Sequence, residues 1–178
     1  NAMVELVGLE PPTTANQAGT FAFVNVALDL GANVLAVRAT DVAGNQNTIT
    51  HTITRLPPDA DGDGIPDSQE ASGPNGGDAN SDGIPDSQQA YVVSLLNTAN
   101  QYVTLVAPAV VSFNDARALN NPSPNDAPAG VIFPLGFVEF TLTGFLGVAA
   151  TVVVLLPAGV SVNTYWNYGA TSDNTTPH

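Results

Sequence analysis

Residues 59–70 read DADGDGIPDSQE, and residues 78–89 read DANSDGIPDSQQ. Nine of the twelve positions are identical, at a spacing of 19 residues. The first copy holds five carboxylates. Like charges this close repel, so the segment stays loose unless something neutralises it. No apolar periodicity runs through residues 57–90, so this stretch builds no hydrophobic core of its own. The rest of the chain supplies little counter-charge. Net charge is −13; Arg38, Arg55 and Arg117 are the only fixed positive groups, and lysine is absent. That balance excludes nucleic acid, whose phosphates are bound by Lys and Arg with release of counterions. It also excludes anionic membrane surfaces and favours a cationic partner, of which a metal ion is the simplest.

The register of the two copies fits an oxygen cage. An EF-hand calcium loop takes ligands at positions 1, 3, 5, 7, 9 and 12, with glycine at 6. In the first copy Asp59, Asp61 and Asp63 fall at 1, 3 and 5, Gly64 at 6, and the Ile65 carbonyl at 7. Asp67 stands at 9 and Glu70 at 12. In the second copy Asp78, Asn80, Asp82, the Ile84 carbonyl and Asp86 take the same roles. Gln89 then replaces the final carboxylate with one neutral oxygen, so the first site is expected to bind more tightly. Every ligand is a hard oxygen, which disfavours zinc and copper, and a flexible acidic loop suits calcium better than magnesium. An ordinary solvated acidic linker has no reason to repeat glycine at position 6 in register. About two calcium ions are expected, bringing the formal charge to −9. Sites of this kind typically have a Kd of about 10⁻⁴–10⁻³ M, a range filled only outside the cell.

The flanks read as strands, and the expected class is all-β: a partial immunoglobulin-like sandwich, the repeat loops, and a second antiparallel β-domain. Thr, Asn, Gly and Val are frequent, and Lys and Glu are scarce. In the N-terminal part TFAFVNVALDL (20–30), GANVLAVRAT (31–40) and NTITHTITR (47–55) are predicted strands. The last alternates with period two, as a half-buried strand does. Between the last two, Asp41, Gly44 and Asn45 predict a hairpin turn. In the C-terminal part YVVSLL and QYVTLVAP predict a hairpin, with VVSF as a further candidate and residues 114–130 a loop. GFVEFTLTGF and VAATVVVLLP complete the set. The apolar run LGVAATVVVLL (146–156) is eleven residues, too short for a membrane helix of about 20, and reads as a buried strand. Asn1-Ala2-Met3 reads as an expression-tag scar. No cysteine is present, so disulfide and thiolate chemistry are excluded.

Three resemblances follow from these residues. The run G-x-N-x-L-x-V-x-A-T-D-x-A-G-N with alternating Thr resembles the closing hairpin of bacterial immunoglobulin-like domains, in a stretch with room for about four strands rather than the usual seven or so. The closely repeated D-x-D-x-D-G-I-P-D over residues 59–89 resembles bacterial thrombospondin type 3 repeats, whose compact form depends on calcium. Pro57-Pro58 leaves no entering helix, which separates this stretch from paired EF-hands; dockerins differ in their Leu- and Lys-rich helices. DSQQAYVVSLLNTANQYVTLV, PAGVIFPLGFVEFTLTGF and TVVVLLPAGVSVNTYWNYGATSDNTTPH are similar to the choice-of-anchor U domain of exported bacterial proteins. The implied division is residues 4–56, immunoglobulin-like; 57–90, calcium repeats; 91–178, part of a choice-of-anchor U-like domain.

No catalytic pattern emerges. There is no G-x-S-x-G nucleophile turn and no phosphate loop. His51 reads as a sheet histidine and Asp41 as a turn residue; Asp115 and Asp126 read as solvated turn residues. The expected function is therefore non-enzymatic: a calcium-stiffened connector between β-domains of a bacterial cell-surface protein, serving adhesion. Expected partners are calcium and a surface protein or glycan, without direct membrane insertion, and with open sheet edges available for oligomers. The alternative is a carbohydrate-binding accessory region of a secreted hydrolase, with Trp166 flanked by Tyr165 and Tyr168 as a stacking platform.

Overall fold

The computed structural model describes residues 2–9, 11–127, 129–144 and 149–169. The fold is all-β, as expected, with antiparallel sheets and only single turns of helix. The chain divides into two compact units, residues 1–57 and 58–178.

The first unit is a four-stranded sheet in the order β2-β1-β3-β4, built from β1 (Met3–Leu6), β2 (Thr13–Thr14), β3 (Gly31–Thr40) and β4 (Gln46–Arg55). Met3 pairs with both Thr14 and Thr40, so this residue of the supposed scar is part of the sheet. The β3–β4 hairpin runs for ten residue pairs. Its turn uses the predicted chemistry. Asp41 Oδ1 accepts the N–H groups of Ala43 and Asn45, Asn45 Nδ2 donates to Asp41 Oδ2, and Gly44 takes φ +90°. Two expectations fail here. Residues 20–30 form no strand; Asn25 turns left-handed at φ 59°, which interrupts the extended run. β4, an edge strand, is not half-buried: all ten of its residues, His51 included, are exposed, so neither of its faces is covered. Val4 and Leu6 on the inner strand are buried.

The second unit has two sheets. One has the order β5-β6-β9, from β5 (Val92–Leu96), β6 (Tyr102–Val106) and β9 (Val153–Leu155); the other pairs β7 (Ser112–Leu119) with β8 (Phe137–Thr143). Val93, Leu95, Val103, Leu105, Val111, Phe113 and Ala116 form the core between them. Phe113 meets Phe140 edge to face at 5.2 Å between ring centres. The predicted β5–β6 hairpin forms, its turn held by Asn97 Oδ1 accepting the N–H groups of Ala99 and Gln101.

β7 continues to Leu119, through residues read in the sequence as loop. A register shift between Asn114 and Arg117 marks a bulge, and Asp115 sits in it at φ 54°, so Asp115 is a bulge residue rather than a solvated turn. The polar letters of this strand follow from the bulge and from its exposed side, where Arg117 pairs with Glu139 at 2.6 Å. Of the apolar run 146–156, residues 146–148 lie outside the described residues; the described part holds the three-residue β9, at the edge of its sheet, with Val153 and Val154 about half exposed. No helix among the described residues is long and apolar enough to cross a membrane.

The repeats belong to this second unit. The acidic stretch builds no core of its own, but the Ile65 side chain is buried in the core that the strands of this unit supply. Burying such a side chain contributes about 1.5–3 kcal/mol. The first copy ends in one helical turn, α1 (Asp67–Glu70). A turn at Pro74–Gly77 (α2) follows, with Asn75 and Gly76 at left-handed φ, and the second copy ends in a 3₁₀ turn at Asp86–Gln88.

Candidate metal centre

Three loop hydrogen bonds recur at matching positions in both copies. In the first, Asp59 Oδ1 accepts from Gly62 N–H at 2.9 Å and Oδ2 from Gly64 N–H at 3.1 Å. Asp63 Oδ1 accepts from Ile65 N–H at 2.7 Å, and Asp67 Oδ1 from Ala60 N–H at 2.7 Å. In the second, Asp78 Oδ2 accepts from Gly83 N–H at 3.0 Å, Asp82 Oδ1 from Ile84 N–H at 2.9 Å, and Asp86 from Ala79 N–H at 3.1 Å. Asp59, Asp78 and Asp86 each tie their loop through both carboxylate oxygens. Gly64 and Gly83 both take left-handed φ, +101° and +89°, as the sharp turn at position 6 requires.

The first copy gathers its acids. One carboxylate oxygen from each of Asp59, Asp61 and Asp63 lies within 4.8 Å of the others. Asp63 and Glu70 are fully buried, and Asp61 Oδ2, Asp63 Oδ2 and Glu70 Oε2 are buried oxygens with no hydrogen-bond partner. Buried carboxylates without partners are strongly unfavourable when charged. Burial first, then the neighbouring carboxylates of Asp61, Asp59 and Asp67, push Asp63 up to about 7. Burial first, then Asp63, Asp61 and Asp86, push Glu70 up to about 9. Asp61 is raised in the same sense, by burial and by Asp59. An oxygen-seeking cation placed among these atoms removes both penalties at once, so the residues fit the expected ion.

The second copy quiets its own charges. Asn80 Nδ2 donates to Asp82 Oδ2 at 3.0 Å and to Gln89 Oε1 at 3.1 Å, and Gln89 Nε2 donates to Asp82 Oδ2 at 2.7 Å. Asp82 is exposed, and the Gln89 amide, the Ile84 N–H and the Asn80 amide hold it below the usual carboxylate range. Asp78, Asn80, Asp82 and Gln89 thus stand together with donors already filling acceptor positions. Ile84, the counterpart of Ile65, is 45% exposed.

Four features of the site were invisible in the motif. The main-chain N–H of Ser94 on β5 donates to Glu70 Oε1 at 3.2 Å, while its hydroxyl donates to Asp86 Oδ2 at 2.6 Å. Thr104, its cross-strand partner on β6, lies 2.7 Å from that hydroxyl. The Tyr102 hydroxyl donates to Gln69 C=O at 2.6 Å, which pins α1. Finally, the Ala116 N–H freed by the β7 bulge donates to Asp63 C=O at 2.9 Å, and Gly64 abuts the same backbone. The one available signal was Ser94, a small polar residue inside the apolar run VVSLL.

Of the other residues considered, His51 and Asp41 lie in the first unit, at β4 and the hairpin turn. Trp166 and Tyr168 line a cavity of about 50 Å³ with Phe133, Phe137 and Asp126, while Tyr165 is 81% exposed. Comparison with protein-family models, curated proteins and solved structures gives no match.

Proposed function

We propose that residues 58–178 form a non-enzymatic, calcium-dependent structural unit of a bacterial exported surface protein, working in adhesion. The observation that carries this reading is the set of three buried, unpartnered carboxylate oxygens on Asp61, Asp63 and Glu70, within a loop whose register is that of a calcium cage. In this reading Asp59, Asp61, Asp63, Ile65 C=O, Asp67 and Glu70 hold the first ion, and Asp78, Asn80, Asp82, Ile84 C=O, Asp86 and Gln89 a weaker second one. Calcium supplies charge neutralisation. The chain's own residues supply loop closure and a fixed attachment of each loop to the β-sheet.

The structural role differs from that of a free connector. Ile65 lies in the hydrophobic core, and Glu70 and Asp86 are both anchored on β5. Ion binding therefore stabilises the sheet as well as the loops, since binding free energy becomes folding free energy. The exported, extracellular setting follows from weak sites that fill only at the calcium levels found outside cells. The test is calorimetric titration of the chain with calcium. About two ions should bind, with a Kd of about 10⁻⁴–10⁻³ M or tighter. No heat on titration with calcium would remove the reading, and so would binding left unchanged in an Asp59→Ala, Asp63→Ala variant.

A further inference from the structure

One residue touches both repeats. Ser94 is fully buried on β5, on the side of the strand away from Val93 and Leu95. Its main-chain N–H holds Glu70, the last ligand position of the first copy, at 3.2 Å. Its hydroxyl holds Asp86, the ninth position of the second copy, at 2.6 Å. A serine hydroxyl has one proton, and here it goes to Asp86. The 2.7 Å contact with Thr104 must therefore run the other way, with Thr104 O–H donating to Ser94 Oγ. The result is a short directed chain, Thr104 to Ser94 to Asp86. It polarises the Ser94 hydroxyl toward the second loop while the adjacent N–H faces the first. Glu70, Asp86, Ser94 and Thr104 are all no more than 2% exposed, so water does not compete for these bonds.

We infer that Ser94 is a positioning residue that couples the two ion sites, so that filling the first strengthens the second. This rests on the calcium reading of the loops. An ion in the first copy engages Glu70 and fixes the β5 backbone at Ser94. The hydroxyl of the same residue then presents Asp86 in one orientation, lowering the ordering needed by the second copy. The second copy gains most, because it lacks the terminal carboxylate and carries Gln89 instead.

The test compares second-site affinity with the first site intact and with it disabled by Asp59→Ala, a residue remote from Ser94 in the hydrogen-bond scheme. In the parent chain, disabling the first site should weaken the second by about fivefold or more, the usual range for a coupling of this kind. In a Ser94→Ala background the same change should alter it by less than about twofold. Because alanine keeps the N–H to Glu70, first-site affinity should hold, which a general loss of structure would not allow. Should Ser94→Ala fail to fold, Thr104→Val, which removes only the donor behind Ser94, should reduce the coupling. Coupling undiminished in Ser94→Ala, or in a folded Thr104→Val where that is used, overturns the inference, as do two ions binding independently in the parent. A parent chain that binds no calcium overturns the ion reading itself, and the coupling with it.

Discussion

The two repeats share nine of twelve residues and three matching loop hydrogen bonds, yet they resolve their charge differently. The first buries Asp63 and Glu70 and leaves three carboxylate oxygens without partners. The second places amide N–H groups of Asn80 and Gln89 against Asp82 and so needs a cation less. Three substitutions account for the contrast: Asp61 by Asn80, Gly62 by Ser81, and Glu70 by Gln89. Their setting amplifies it. Ile65 and Gly64 press into the β-unit, whereas Ile84 is solvent-facing and Gly83 has open space beside it. A duplicated motif can thus hold one copy with unpartnered buried carboxylate oxygens and one whose Asp82 is met by its own amides.

The largest expected effect is on pH dependence. Asp63 and Glu70 have native-state values raised to about 7 and about 9, above their unfolded values. The native state then binds more protons than the unfolded state between roughly pH 4 and 9, so stability falls as pH rises through that window. In chelator, the melting temperature of the second unit should drop by about 10 °C or more between pH 5 and pH 8. In saturating calcium the drop should vanish. A flat profile in chelator would break the contrast between the repeats.

Glycine replacement comes next. Gly64→Ala puts a Cβ 3.0 Å from the Ala116 nitrogen and the Asp115 Cα, in a left-handed backbone. It should cost about 3 kcal/mol by equilibrium unfolding, combining strain and backbone clash. Gly83→Ala meets nothing within 4 Å and should cost only the left-handed strain, about 1–2 kcal/mol. Equal losses would mean that the first loop is not docked.

Exchanging the final ligands sharpens the comparison further. Glu70→Gln should weaken first-site calcium binding by about tenfold, and Gln89→Glu should strengthen the second by a similar factor, as judged by titration. The smallest effect is Tyr102→Phe, which removes one hydrogen bond to the Gln69 carbonyl and should lower stability by about 1 kcal/mol, detectable as a shift in denaturant midpoint.

Much of the candidate site was legible because its signal is local. Six ligand positions and one obligatory glycine lie within twelve residues, and the loop hydrogen bonds follow that spacing. The Asp41–Asn45 turn was legible for the same reason. What escaped depends on neighbours distant in sequence. TFAFVNVALDL has strand composition, but Asn25 turns the backbone and no partner strand pairs with it. LGVAATVVVLL looks buried, yet its strand lies at a sheet edge. NDARAL looks like loop, yet it forms a bulged strand whose freed Ala116 N–H donates to the Asp63 carbonyl. The sequence also could not tell that the acidic segment is a layer of the second β-unit, because that rests on Ile65 meeting Phe113 and its neighbours across long stretches of chain.

The most direct measurement of the central claim is hydrogen exchange of the β5–β6 hairpin, followed in calcium and in chelator. If the repeats are an ion-ordered layer of the sheet, amides of Val92–Leu96 and Tyr102–Val106 should be protected at least about tenfold more in calcium. Amides of Gly31–Thr40 in the first unit should be unchanged. Equal protection of the hairpin in both conditions, with calcium demonstrably bound, would contradict the account.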